Sequence, residues 1–98
     1  MTSTKRSDMV NGLQKFLSVI EDDLVNEVFF KHGGFEYQVS LCGRYIIVED
    51  TKNGDSEEFC FDAPREELVT SFLNASPRGV PLRDILSGLS DAEVIATD

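Results

Sequence analysis

The sequence predicts a two-layer α+β fold: an N-terminal helix, a four-stranded antiparallel meander, then two or three short C-terminal helices. Three observations predict it. Apolar residues recur at helical spacing before residue 25 and again after residue 63. Between Glu27 and Asp62 the apolar period changes to two. Three glycine dipeptides punctuate that middle stretch: Gly33-Gly34, Cys42-Gly43 and Asn53-Gly54.

The first helix is expected over about Asp8 to Val25, where Met9, Leu13, Phe16, Leu17, Ile20 and Leu24 form one stripe. Ser7 suits the N-cap and Asp8 the positive end of the helix dipole. Gly12 weakens the first turns by up to ~1 kcal/mol relative to Ala. Glu21, Asp22 and Asp23 oppose the negative end, so the helix is expected to stop between Asp22 and Asn26.

The register of the sheet follows if each glycine dipeptide is a two-residue hairpin loop. Val28 then pairs with Val39 and Phe30 with Tyr37. Tyr37 pairs in turn with Val48, and Val39 with Ile46. Val48 pairs with Phe59 and Ile46 with Phe61. Directly opposed residues share a face. All three loops place Val28, Phe30, Phe35, Tyr37, Val39, Leu41, Ile46, Val48, Phe59 and Phe61 on one side, and a one-residue slip would destroy that agreement. The first strand is the least constrained. Residues 27–31 can also be read as prolonging the helix, which would leave three strands.

Ala63-Pro64-Arg65-Glu66-Glu67 reads as a helix start, with Leu68, Val69, Phe72 and Leu73 as its apolar face. Asn74 to Gly79 is a break. Pro81 opens a shorter helix carrying Leu82, Ile85, Leu86 and Leu89, and Ser90 with Glu93 forms a capping box for one last turn. The first two helices are expected to cover the sheet and the third to seal one of its ends or edges.

With 98 residues the chain is expected to be a single domain over 1–98, with a flexible tail at 1–6. Size scaling buries about 65% of the unfolded surface, enough for one core and not for two. No apolar run of signal-peptide or membrane-spanning type is present, and two cysteines do not make a disulfide scaffold. A cytoplasmic setting is therefore expected.

Candidate chemistry is thin. His32, the single histidine, sits beside Gly33-Gly34 with no motif to orient it as a base. Cys42 and Cys60 are separated by a whole strand, about 9–10 Å, too far for a disulfide. The stretch from Glu49 to Glu57 resembles a calcium loop only partly. With Gly54 at the invariant glycine, Cys60 falls where the bidentate acid belongs. No phosphate-binding loop, nucleophile elbow or zincin motif appears. The chain is expected not to be an enzyme and to need no cofactor and no metal.

Charge is more telling. The net charge is -9, and residues 49–67 contribute -6 of it. This balance argues against direct nucleic-acid binding and against an anionic membrane, and it permits a basic partner. In the predicted register Glu36, Glu49 and Glu58 form one cross-strand row on the face opposite the core, with Lys31 beside Glu36. The next row holds Phe29, Gln38, Ile47 and Cys60, and the third holds Glu27, Ser40, Tyr45 and Asp62. Asp50 and Glu57 are opposed beside the hairpin tip, close to Asp55. Two readings compete. The acids can be a solvated face that also guards the sheet edges against aggregation. Alternatively Glu36, Glu49, Asp50, Asp55, Glu57, Glu58, Phe29, Tyr45 and Ile47 form a partner-binding surface, with apolar anchors inside a charged rim.

The expected function is therefore a small acidic protein-binding module, a non-catalytic inhibitor or neutraliser of a basic protein such as a nuclease. Phage anti-CRISPR and anti-restriction proteins and toxin immunity proteins share this profile of size and charge, with no motif to carry the likeness. A strict duplex mimic fits less well. Duplex DNA presents one charge per ~1.7 Å of axis, whereas glutamates on adjacent strands stand ~4.8 Å apart. The alternative is a structural or accessory subunit that oligomerises, as a homodimer for instance, through the same outer sheet face.

Overall fold

The computed structural model describes residues 11–21 and 26–97. Its elements are α1 (Gly12–Val19), β1 (Glu27–His32), β2 (Phe35–Ser40), β3 (Tyr45–Asp50), β4 (Ser56–Cys60), α2 (Arg65–Asn74), α3 (Leu82–Ser87), a 3-10 turn (Asp91–Glu93) and β5 (Ile95–Thr97). The fold is α+β, as the periodicities predict, with one strand more than expected. The five strands lie in the order β4-β3-β2-β1-β5, every neighbouring pair antiparallel. Residues 27–31 are strand, not helix.

The described helix α1 is capped by Asn11. The Asn11 side chain accepts from the Gln14 N–H at 2.9 Å, and the Gln14 side chain accepts from the Asn11 N–H at 3.0 Å, a reciprocal cap that satisfies two otherwise orphan donors. Ser7, Asp8, Met9 and the tail at 1–6 lie outside the described residues, as do Asp22, Asp23 and Leu24. The last helical residue is Val19, earlier than expected. Ile20 is the last of the described stripe to reach the core, and Glu21 follows it as the first acid facing the negative end of the dipole. Leu17, expected in the stripe, is exposed.

The hairpin turns explain the register. Gly33 and Gly34 both have positive φ (59° and 85°) and close a two-residue loop between the paired His32 and Phe35. Around Cys42-Gly43 the pairing ends at Ser40 and Tyr45. Leu41–Arg44 form a four-residue turn centred on the expected point, so the register is unchanged. The third turn differs. Asp50 C=O accepts from Gly54 N–H and Asp50 N–H donates to Asp55 C=O, both at 2.7 Å, closing a four-residue loop over 51–54. Ile46 therefore faces Phe59, and Val48 faces Glu57. The shift from the expected pairing is two residues, which keeps every side chain on its expected face.

One apolar cluster lies between the inner sheet face and the helices. Val28, Phe30, Tyr37, Val39, Leu41, Ile46 and Val48 meet Phe16, Leu68, Phe72, Leu73, Leu82, Ile85 and Leu86. Phe35, Phe59 and Phe61 pack around it, half-buried. The Phe30 and Tyr37 rings stack at 5.0 Å, and Phe61 meets Phe72 edge-on at 5.0 Å.

The third helix joins the core alongside the other two. Leu82, Ile85 and Leu86 are at most 2% exposed, and α3 touches both α1 and α2, so it is the middle of the helical layer. Gly12 makes this approach possible. Its N–H donates to Leu89 C=O at 2.7 Å, and a Cβ added there would lie 2.7 Å from the Leu86 carbonyl oxygen. Its weak helix propensity is offset by close packing. The predicted Ser90–Glu93 capping box is present and leads into β5, which pairs with Glu27, Val28 and Phe29 of β1. Among the described residues no helix is long and apolar enough to cross a membrane.

Candidate functional site

The described helices pack on the core side of the sheet, and none of them covers the other face. Pleating sends alternate residues there. The ladder sets them in three cross-strand rows. The first holds Lys31, Glu36, Glu49 and Ser56. The second holds Ile95, Phe29, Gln38, Ile47 and Glu58. The third holds Thr97, Glu27, Ser40, Tyr45 and Cys60.

Glu36 and Glu49 are thus directly opposed, as expected, with Lys31 beside Glu36. Glu58 is not in their row. The four-residue loop over 51–54 shifts β4 by two residues against β3, so Glu58 faces Ile47 and closes the apolar row. The same shift places Cys60, not Asp62, opposite Tyr45.

The apolar row is only partly shielded. Phe29, Gln38 and Ile47, and Tyr45 in the third row, are half-buried, and Ile95 is 55% exposed. Two shallow depressions flank the Phe29 ring. One, of about 280 Å³, runs toward Ile95, with Lys31, Glu36 and Glu93 at its rim. The other, of about 220 Å³, lies over Ile47 and Gln38 between Glu36 and Glu49. Gln38 donates to the Glu27 carboxylate at 3.1 Å, so the middle of the apolar row is tied to the third row.

Asp50, Asp55 and Glu57 are not part of this face. They surround a separate depression of about 290 Å³ with Phe35, Val48 and Arg78. The Asp50 carboxylate accepts from the Lys52 and Asn53 backbone N–H groups at 2.9 and 3.2 Å and from the Asn53 amide at 2.9 Å. These bonds, the Lys52 N–H foremost, hold its pKa below the ordinary carboxylate value, and the nearby Arg78 charge adds to them. Glu57 forms a 2.8 Å salt bridge with Arg78, whose guanidinium lies 4.4 Å from the Phe35 ring centroid. Burial pushes the Tyr37 hydroxyl pKa up, and the Arg78 charge partly opposes that.

Comparison of the chain with protein-family models, with curated proteins and with solved structures finds no match.

The remaining polar candidates stand apart. His32 is exposed at the β1–β2 turn. Cys42 and Cys60 are free and exposed. The Cys60 thiol donates to Glu58 at 3.5 Å, and that carboxylate raises the thiol pKa, which lowers its fraction of reactive thiolate. Among the described residues no His, Cys, Asp and Glu side chains converge as a metal site.

Sequence reading missed Ile95 and Glu93. The capping box at Ser90 was legible, but a three-residue strand shows too little alternation to mark itself. Its partner β1 lies at the other end of the chain.

Proposed function

We propose that this protein is a small acidic binding module that inhibits or neutralises a basic protein, such as a nuclease, through its open sheet face and without catalysis. The observation that supports this reading is the row Ile95–Phe29–Gln38–Ile47, over which no described helix lies, set between Glu36 and Glu49 on one side and Glu27 on the other. A purely solvated face would be expected to carry polar residues at all three rows. Apolar residues inside a charged rim are the arrangement that gives an interface both affinity and a fast, steered association. The physical profile remains that of anti-CRISPR, anti-restriction and immunity proteins, acting in the cytoplasm where a basic nuclease would be met.

The test begins with affinity capture from the native host at low and high salt. The captured protein is then purified and its binding and activity measured with the purified module. The expected result is a basic protein whose activity falls on binding, with affinity dropping steeply between about 50 and 300 mM salt as screening grows. A neutral or acidic partner, or none, would overturn the reading.

A second reading has one observation in its favour: Ile95 stands exposed on β5, the sheet edge that carries no charged residue within the strand. On that reading the outer face joins copies of an accessory subunit. It requires oligomers that persist at high salt, and a monomer by light scattering at high concentration would remove it.

A further inference from the structure

The molecule contains one filled example of a motif that its outer face carries unfilled. At the β3–β4 end, Arg78 lays its guanidinium over Phe35 while bonding Glu57. On the outer face Phe29 stands beside two directly opposed carboxylates, Glu36 and Glu49, which form no salt bridge among the described residues. Lys31 is the neighbour of Glu36 in the ladder but is not within ion-pair distance of it.

Building on the proposed basic partner, we infer that the depression between Phe29, Glu36, Ile47 and Glu49 receives an arginine side chain of that partner. Its volume of about 220 Å³ has room for a side chain and not for a whole strand or helix. Ile47, Gln38 and the aromatic Phe29 line it together with the two glutamates. Like charges opposed across a ladder destabilise a sheet, and a cation between them reverses the sign of that interaction. Arginine suits the place better than lysine. Its planar head stacks on an aromatic ring and presents several donors in a fixed fork, so one group can reach both carboxylates. Lysine offers a compact, strongly hydrated charge that gains less from the ring.

Short end-blocked peptides, identical except for a central arginine, lysine or citrulline, are titrated into the isotope-labelled protein and followed by NMR. The expected result is a saturable response to the arginine peptide at Phe29, Glu36, Ile47 and Glu49. Binding should be about tenfold weaker for lysine and absent for neutral citrulline. Glu36→Gln with Glu49→Gln should remove the response without lowering the melting temperature. Phe29→Leu, which keeps the apolar volume but loses the ring, should bring arginine and lysine to equal affinity. Equal binding of the two peptides to the unaltered protein, or a response centred on Asp50, Asp55 and Glu57, would overturn the inference. Salt-sensitive inhibition of a basic protein that survives the double glutamine variant would sink the arginine cleft alone, leaving the wider reading intact.

Discussion

Two acidic regions of this chain have the same ingredients and opposite states. Around Arg78 the negative charge is satisfied internally: Asp50 is held by loop donors, and Glu57 is paired with a cation that also rests on Phe35. On the outer face Glu36 and Glu49 oppose each other with no such partner among the described residues, beside the half-buried Phe29 and Ile47. The first region carries charge as part of a turn and its brace. The second keeps charge and apolar surface available. A net charge of -9 is therefore a poor guide to binding until it is divided between these two.

The largest expected effect breaks that division from the outer side. Phe29→Ala with Ile47→Ala should weaken binding to a basic partner by about a hundredfold or more, because central apolar anchors dominate interface energetics. Both residues face away from the core, so the protein should stay folded, with its melting temperature lower by only several degrees. A loss of fold in place of a loss of binding would show the row to be structural.

Arg78→Ala attacks the other region and should do the reverse. It removes one half-exposed salt bridge and one cation–π contact, together about 1 kcal/mol of stability after solvent screening. Partner binding should hold. If binding falls with stability, the two regions are one surface and the contrast fails.

Both regions were visible in the sequence as acids, but only one was legible as a place. The faces of Val28, Phe30, Tyr37, Val39, Ile46 and Val48 followed from alternation that three turns had to share, and that constraint located Phe29, Tyr45, Ile47, Glu36 and Glu49 correctly. Alternation fixes a face but not a step along the strand. The two-residue shift of β4 was invisible to it, because the loop that forms has four residues, with Gly54 at positive φ and the Asp50 carboxylate accepting from the Lys52 and Asn53 N–H groups. Glu57 and Arg78 lie 21 residues apart, and nothing local in either segment announces their pairing. Ile95 depended on a strand too short to show a period.

A smaller effect sharpens the comparison by its sign. Glu36→Gln should stabilise the fold by a few tenths of a kcal/mol, since it relieves a directly opposed like charge. It should also weaken salt-dependent binding. Stability rising as binding falls is the mark of a residue kept for its partner. A solvated, functionless glutamate would give the first change without the second, and chemical denaturation alongside a binding titration separates the two.

The smallest effect belongs to Asp50 and is a matter of pH. Its folded pKa lies below the ordinary value of 3.8, because the loop N–H groups bind the carboxylate and not the acid. Above that ordinary value the unfolded group is ionised too, and its contribution to stability is present in full. As pH falls below 3.8 the unfolded chain takes up the proton first, and the contribution is lost as the pH drops through the folded pKa. Asp50→Ala should thus lower stability at neutral pH and flatten the acid limb of the stability curve. An Asp50→Ala protein with an unchanged acid limb would mean that the carboxylate does not organise the turn. The reason for the two-residue shift of β4, and for Glu58 facing Ile47, would then have to be sought in the packing of Phe59 and Phe61 instead.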